Sequence, residues 1–123
     1  MTKMKAEVRS YWAAQTFLAG ADERKIGHNT WVVHTPTGYG IKYHNTVVIT
    51  YFVGAEKVYM NTNGWHTITT KLRMNLFLPS GYSIHQEKHE WWLNYKVGEE
   101  WRKRPYDDCM TIPVDPEKLE DYS

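Results

Sequence analysis

The segment from Asn63 to Asn75 carries the residue types and the spacing best suited to binding an anion. A glycine turn is followed by threonines and then by apolar residues at helical spacing, so we predict that a helix starts here. Two cations, Lys71 and Arg73, fall near that start, where the helix dipole favours acidic residues by roughly 0.3–1 kcal/mol each. A bound phosphate or carboxylate would remove this conflict. The candidate ligands are Thr67, Thr69, Lys71 and Arg73.

A simpler interpretation of the same segment needs no ligand. Thr69 or Thr70 would cap the helix through its hydroxyl, as threonine often does. Lys71 and Arg73 would then extend into water or pair with an acidic side chain of a later strand. Because misplaced surface charges cost little free energy, the sequence leaves both interpretations open.

A second candidate surface is aromatic and basic. Trp91 and Trp92 are adjacent, and neighbouring residues of a strand point to opposite faces, so we expect one of them to be partly exposed. Such a surface stacks nucleobases or anchors a protein partner, unless the C-terminal residues cover it. Trp65, by contrast, is expected to be a core anchor. The residues of the predicted surface are Trp92, Trp101, Arg102, Lys103 and Arg104.

The sequence contains no recognisable catalytic or metal-binding motif. His85 and His89 are four residues apart, but a predicted hairpin turn separates them. Nucleophile-elbow, P-loop and dinucleotide-binding patterns are absent. Cys109, the only cysteine, adjoins two aspartates that disfavour a thiolate. We therefore expect no catalytic residue, no metal site and no cofactor.

Length and composition predict a single globular domain. The chain has 123 residues, of which 41% are hydrophobic, and this is enough for one core. Fifteen Lys and Arg against 14 Asp and Glu argue against a strongly basic nucleic-acid binder. No apolar run approaches the roughly 20 residues of a membrane-spanning helix, and no signal-peptide pattern is present. We expect a cytoplasmic protein without membrane contact.

The first half of the chain is predicted to form one helix and four strands. Apolar residues at helical spacing predict an N-terminal helix at about residues 4–19. β-Branched and aromatic residues then alternate with turn residues, and the short connections favour an antiparallel meander. The predicted strands are Thr30–Val33, Tyr39–Tyr43, Thr46–Val53 and Lys57–Asn61.

The second half is predicted to contain a helix at about Thr70–Leu78 and a hairpin of Ser83–Glu87 with Trp91–Tyr95. Residues 97–123 lose this periodicity and are predicted to be an extended arm, with a helical turn after Pro116. The predicted fold is α+β. An antiparallel sheet of about four to six strands carries one packed helix and an additional N-terminal helix, within a domain of residues 1–96.

One pattern links three stretches of the sequence: Asn29–Thr30, Tyr43–Val48 and Met60–Asn75. The third stretch contains the most specific part, which reads Gly-Trp-x-Thr-x-Thr-Thr-Lys-x-Arg from Gly64 onward. Over about Asn29–Tyr95 the chain resembles a widespread group of small phage and prophage proteins with no settled biochemical function.

The resemblance implies a phage accessory protein that acts inside a bacterium, with roles such as anti-CRISPR activity or sequestration of a signalling nucleotide. It implies no catalytic residue. The first functional hypothesis is therefore a protein that blocks a host protein, most simply a defence component, through the Thr67–Arg73 helix start and the aromatic C-terminal arm. The second is a binder of a phosphate-bearing ligand, either a nucleotide or a nucleic acid, at the same helix start.

Overall fold

The computed structural model describes residues 4–122 and confirms the predicted α+β class. These residues form nine strands in two antiparallel sheets, two α-helices and a C-terminal 3₁₀ helix. The helices are α1 (Tyr11–Leu18), α2 (Ile68–Phe77) and the 3₁₀ helix (Pro116–Asp121). The strands are β1 (Glu23–Gly27), β2 (Thr30–Thr35), β3 (Gly38–Tyr43), β4 (Thr46–Phe52), β5 (Lys57–Met60), β6 (Tyr82–Glu87), β7 (Glu90–Val97), β8 (Glu100–Pro105) and β9 (Met110–Pro113).

The larger sheet is a meander with one strand added from the C-terminal part of the chain. Its strand order is β1-β2-β3-β4-β5-β9, and every neighbouring pair is antiparallel. The four predicted meander strands are confirmed as β2 to β5. Strand β1 was not predicted, because three of its five residues are charged and exposed and it lies at the edge of the sheet.

The smaller sheet has the order β6-β7-β8. Its β6–β7 hairpin is confirmed, with the turn at Lys88 and His89, which both adopt positive φ angles. Such angles match the right-handed twist of a two-residue hairpin. Trp91 is buried and Trp92 is half-buried, as expected for neighbours that face opposite sides of a strand.

The N-terminal helix is shorter than predicted. It begins after Ser10, whose hydroxyl accepts a hydrogen bond from the N–H of Ala13. The preceding residues are not helical, and the N–H of Lys5 donates to the carbonyl of Ile26 in β1. The helix ends at Ala19, which takes the left-handed conformation commonly found after a helix.

The C-terminal segment is not the extended arm that the sequence predicted. Strand β8 pairs with β7, and β9 pairs with β5 to complete the larger sheet. The helical turn after Pro116 is confirmed as the 3₁₀ helix, with the Asp115 carboxylate capping the N–H of Glu117. Its Leu119 side chain is buried in the core. The segment lacked periodicity because β8 is almost entirely exposed and β9 has only four residues.

Helix α2 connects the two sheets. It packs against β3 and β4 of the larger sheet and against β6 of the smaller one. The Asn75 side chain bonds both the N–H and the carbonyl of Ile84, which satisfies the free edge of β6. At its C-terminal end, Arg9 donates to the carbonyls of Asn75 and Leu78, and the Tyr51 hydroxyl donates to that of Phe77. Within residues 4–122, no helix combines the length and apolar character that crossing a membrane requires.

Candidate binding site

A pocket opens where the β3–β4 turn meets the segment that leads into α2. Its volume is about 350 Å³, which is within the range of small-ligand sites. Two of the three stretches that carry the phage resemblance supply its walls. One wall consists of Tyr43, His44, Asn45, Thr46 and Val48, and the other of Thr62, Trp65, Thr67, Thr69 and Thr70. The wall residues are hydroxyl, amide, aromatic and apolar side chains without a lysine, arginine or carboxylate.

The first wall is fixed by the turn between β3 and β4. His44 adopts a positive φ of 56°, and its N–H donates to the carbonyl of Asn29 at 2.8 Å. Its ring lies against Tyr43, with the centroids 4.4 Å apart. The two similar sequences His28-Asn29-Thr30 and His44-Asn45-Thr46 thus lie side by side, each at the start of a strand.

The second wall is held by the Asp108 carboxylate. One of its oxygens accepts the N–H of Thr62 at 2.9 Å and the Tyr106 hydroxyl at 2.7 Å. The other accepts the Thr62 hydroxyl at 2.7 Å and the N–H of Gly64 at 3.3 Å. The His66 ring also contacts this second oxygen, at 3.2 Å. Asp108 therefore fixes the loop that carries Trp65.

These bonds also control the charge of Asp108. Partial burial by itself raises the pKa of the carboxyl, but the hydrogen bonds from Tyr106, Thr62 and Gly64 outweigh it and hold the pKa at about 2. The carboxylate is therefore ionised at neutral pH. No sequence pattern indicates this role, because Asp108 lies 44 residues beyond Gly64 and the contact depends on β9 joining β5.

Trp65 is not the core anchor that the sequence predicted. The neighbouring His66 remains exposed but stacks on Trp91, with the ring centroids 4.7 Å apart. Trp65 is 62% exposed at the pocket. The prediction was wrong because burial preference is only an average, and here the loop held by Asp108 leaves Trp65 at the surface.

Helix α2 begins at Ile68, two residues nearer to this loop than the predicted start at about Thr70. Thr67 is its N-cap, and its hydroxyl oxygen accepts the N–H of Thr70 at 3.2 Å. Lys71 and Arg73 are thus the fourth and sixth helical residues, so the predicted conflict with the helix dipole is smaller than the sequence suggested. The N–H groups of Ile68 and Thr69 donate to no protein acceptor within the described chain.

Arg73 is buried without a counter-ion. Arg73 is only 6% exposed, and its guanidinium lies 4.9 Å from the centroid of the Tyr43 ring. Among residues 4–122 its Nε has no hydrogen-bond partner, and no carboxylate pairs with it. The predicted ligands are therefore divided. Thr67, Thr69 and Thr70 line the pocket, whereas Lys71 and Arg73 lie outside its walls.

The outer side of α2 presents an apolar stripe beside the pocket. Trp65, Ile68 and Leu72 are 62%, 65% and 57% exposed. Ile68 and Leu72 are four residues apart and so lie on one face of the helix, and Trp65 lies just before the N-cap, at the pocket wall. We call these three residues the α2 stripe.

The predicted aromatic and basic surface is divided between the two faces of the smaller sheet. Trp92, Trp101 and Lys103 share the outer face, where the Lys103 ammonium lies 4.8 Å from the Trp92 ring and 2.6 Å from the Glu87 carboxylate. Arg102 and Arg104 share the opposite face: Arg102 pairs with Glu100 and Glu120, and Arg104 lies over Tyr95. Alternation along β8 imposes this separation.

The histidines do not assemble a metal site in the described part of the chain. His85 and His89 are separated by the β6–β7 turn, and the His85 ring bonds the Glu87 carboxylate at 2.6 Å. Within residues 4–122, no three His, Cys, Asp or Glu side chains are grouped to hold a metal ion.

Comparison with known protein families gives a match over most of the chain. The family model described as Kyanoviridae Gp96 protein matches residues 3–113, which is nearly the whole chain. No curated protein and no solved structure gives a significant match.

Proposed function

The chain belongs to the Kyanoviridae Gp96 protein family and is a phage-encoded protein, and we propose that it binds and blocks a protein of the bacterial host. The proposed target is a defence component in the host cytoplasm. The α2 stripe is the proposed contact surface, and the neighbouring pocket accepts an anchoring side chain of the target.

The observation that carries this proposal is the exposure of three large apolar side chains, two on one face of α2 and one in the loop just before it. Single exposed apolar residues are common, but a contiguous group beside a concavity is typical of a protein interface. Trp65 belongs to both the stripe and the pocket wall, and tryptophan is among the residues that contribute most to binding energy.

The pocket chemistry suits an uncharged or weakly polar anchor. Its walls combine aromatic rings with hydroxyl and amide groups and contain no lysine, arginine or carboxylate. A buried aliphatic or aromatic side chain with one polar end would therefore be accepted without desolvating an unpaired charge.

The experiment is a pull-down from lysate of the phage host with the parent chain and with the variants Trp65→Ala and Leu72→Ala. We expect a host protein that the parent retains and that both variants lose. Trp12→Ala is the matched control, because Trp12 is 60% exposed on α1, away from the pocket walls, and should leave retention unchanged. Equal retention by the parent and the α2-stripe variants would contradict the proposal.

A second candidate function, binding of a phosphate-bearing ligand, is supported by a different observation. Arg73 is a buried cation without a counter-ion whose guanidinium lies over Tyr43 of the pocket wall, and the N–H groups of Ile68 and Thr69 are free at the start of α2. An anion at the helix start would be stabilised by these N–H groups and by the field of the guanidinium. A nucleotide would place its base against Trp65.

Calorimetric titration with inorganic phosphate and with a mixture of nucleotides tests the second candidate. Lys71→Glu should weaken binding at least tenfold, since it brings a negative charge close to the helix start. Lys118→Glu is the control, because it makes the same change of charge on the exposed C-terminal 3₁₀ helix. Equal affinity of both variants, or no heat with any of these ligands, would exclude this candidate.

A further inference from the structure

Strand β8 ends the smaller sheet, and within residues 4–122 no further strand pairs with its outer edge. Five of its six residues are exposed. Proteins commonly protect such edges with lysine and proline, and β8 contains both, at Lys103 and Pro105. The edge nevertheless carries Trp101, which is 54% exposed and which protection of an edge does not require.

The register of the hairpin identifies which backbone groups are free. Val97 and Glu100 flank the Gly98–Glu99 turn, and the N–H of Tyr106 donates to the carbonyl of Trp91 at 3.0 Å. In an antiparallel ladder every second residue bonds to the same neighbour, so Glu100, Arg102 and Arg104 bond to β7. The N–H and carbonyl groups of Trp101 and Lys103 therefore point away from the sheet.

We propose that β8 pairs with β8 of a second copy of this chain, antiparallel and two-fold symmetric about Arg102. In that register Trp101 lies opposite Lys103 of the second copy, and Lys103 lies opposite its Trp101. These are the residues with free backbone groups, so each pair exchanges two N–H···O=C bonds. The two smaller sheets become one continuous sheet.

The side chains are complementary in the same register. Glu100 lies opposite Arg104 of the second copy, which makes an opposite-charge pair on each side of the axis. On the outer face Lys103 is already held by Glu87 and by its contact with Trp92. In the dimer, Trp101 of the second copy contacts the Lys103 ammonium from the side opposite Trp92, so the ammonium lies between two indole rings.

The residue on the axis does not oppose the pairing. Arg102 faces its own copy across the axis, but in each chain its guanidinium is paired with Glu100 and Glu120. These carboxylates reduce the repulsion between the two arginines. Pro105 has no N–H, so the ladder stops there. The contact is isologous and closes as a dimer rather than extending into a fibre.

The first test is sedimentation velocity of the full chain up to millimolar concentration. The parent should shift from monomer to dimer as its concentration rises. Lys103→Pro should remain monomeric, because it removes an N–H that bonds only to the second copy. Lys103→Ala keeps that N–H and loses only the contacts with the indole rings, so it should weaken the dimer roughly tenfold. Thermal unfolding should show that both variants fold like the parent.

Charge exchange is the second test. Glu100→Arg and Arg104→Glu should each weaken the dimer roughly tenfold, because each places like charges opposite one another. The double variant should restore it, since the pairs are then attractive again. A change that merely disturbed the monomer would not be rescued in this way. A parent that stays monomeric at millimolar concentration, or a dimer insensitive to Lys103→Pro, would overturn the proposal.

Discussion

Asp108 is the residue on which the geometry of the candidate site depends most. Its carboxylate accepts hydrogen bonds from Thr62, Gly64 and Tyr106, which are brought together from two distant parts of the chain. Without it, the loop that carries Trp65 would lose its connection to the β8–β9 segment. Trp65, which belongs to both the pocket wall and the α2 stripe, would then no longer be held in place.

Asp108→Asn should destabilise the protein in a pH-dependent way. Folding lowers the pKa of this carboxyl from 3.8 to about 2, so its contribution is fully present above about pH 4 and is lost as the pH falls through about 2. Urea unfolding at pH 6 should show a loss of roughly 1–2 kcal/mol relative to the parent, and at pH 2 most of this difference should vanish.

The matched control is Glu87→Gln. Hydrogen bonds from Lys103 and His85 hold the pKa of Glu87 at about 2, but this carboxylate lies on the exposed outer face of the smaller sheet. Its removal should change stability little at either pH. Identical pH profiles for the parent and Asp108→Asn would contradict the role assigned to Asp108.

Arg73→Met should stabilise the protein while weakening any anion bound at the start of α2. A buried cation without a counter-ion carries an unrecovered desolvation cost, which its contact with Tyr43 only partly offsets. We expect a gain of roughly 1 kcal/mol in the free energy of unfolding, measured with urea. A loss of stability would show that Arg73 has a structural role, as a core residue that Met does not replace.

Helix α2 illustrates how a local element depends on distant partners. Its presence after the Asn-Gly turn and its approximate bounds were predicted, with a start two residues too late, because turn residues and helical spacing are local signals. Its C-terminal carbonyls, however, are satisfied by Arg9 and Tyr51, which come from the N-terminal segment and from β4. Sequence patterns do not encode such pairings.

Arg9→Ala should therefore destabilise the end of α2. The Arg9 guanidinium donates to two carbonyls at 2.9 and 3.1 Å, and its loss leaves both without this donor. We expect a decrease of about 1.5–3 kcal/mol in the free energy of unfolding, measured with urea. Glu7→Ala removes only the exposed ion pair with Arg9 and should cost far less. Equal costs would mean that the ion pair, not the capping, matters.

The strands show the same division between local and distant information. The meander β2–β5 and the β6–β7 hairpin were predicted because their turns are short and their strands contain β-branched and aromatic residues. Strand β9 was missed, since it has four residues and pairs with a strand about 50 residues earlier in the chain. The outward position of Trp65 depends on that pairing, through Asp108, and was missed for the same reason.

In the whole molecule, the C-terminal segment is part of the fold. It supplies β8 to the smaller sheet, β9 to the larger sheet, the Asp108 contacts and the buried Leu119. We expect a chain that ends at residue 96 to lose cooperative thermal unfolding. The strands β5 and β7 would lose their partners β9 and β8, and the core would lose Leu119. If a chain of residues 1–96 unfolded in a sharp thermal transition, the C-terminal segment would not be required for the fold.

The two proposed binding surfaces, the α2 stripe and the edge of β8, lie on different parts of the molecule. The α2 stripe is assigned to the host protein and the edge of β8 to a second copy, and α2 and β8 lie against different strands. A dimer would therefore present two copies of the stripe. Simultaneous contact with a target that is itself dimeric or repeated would increase the apparent affinity without any new type of contact.

The most direct measurement is photocrosslinking in infected host cells, with a photoreactive amino acid in place of Ile68. This residue lies in the α2 stripe and is 65% exposed. The same amino acid in place of Val53, which is 68% exposed in the turn after β4, is the control. The proposal predicts one host protein crosslinked from position 68 and not from position 53. The same crosslinks from both positions, or none from position 68, would contradict it.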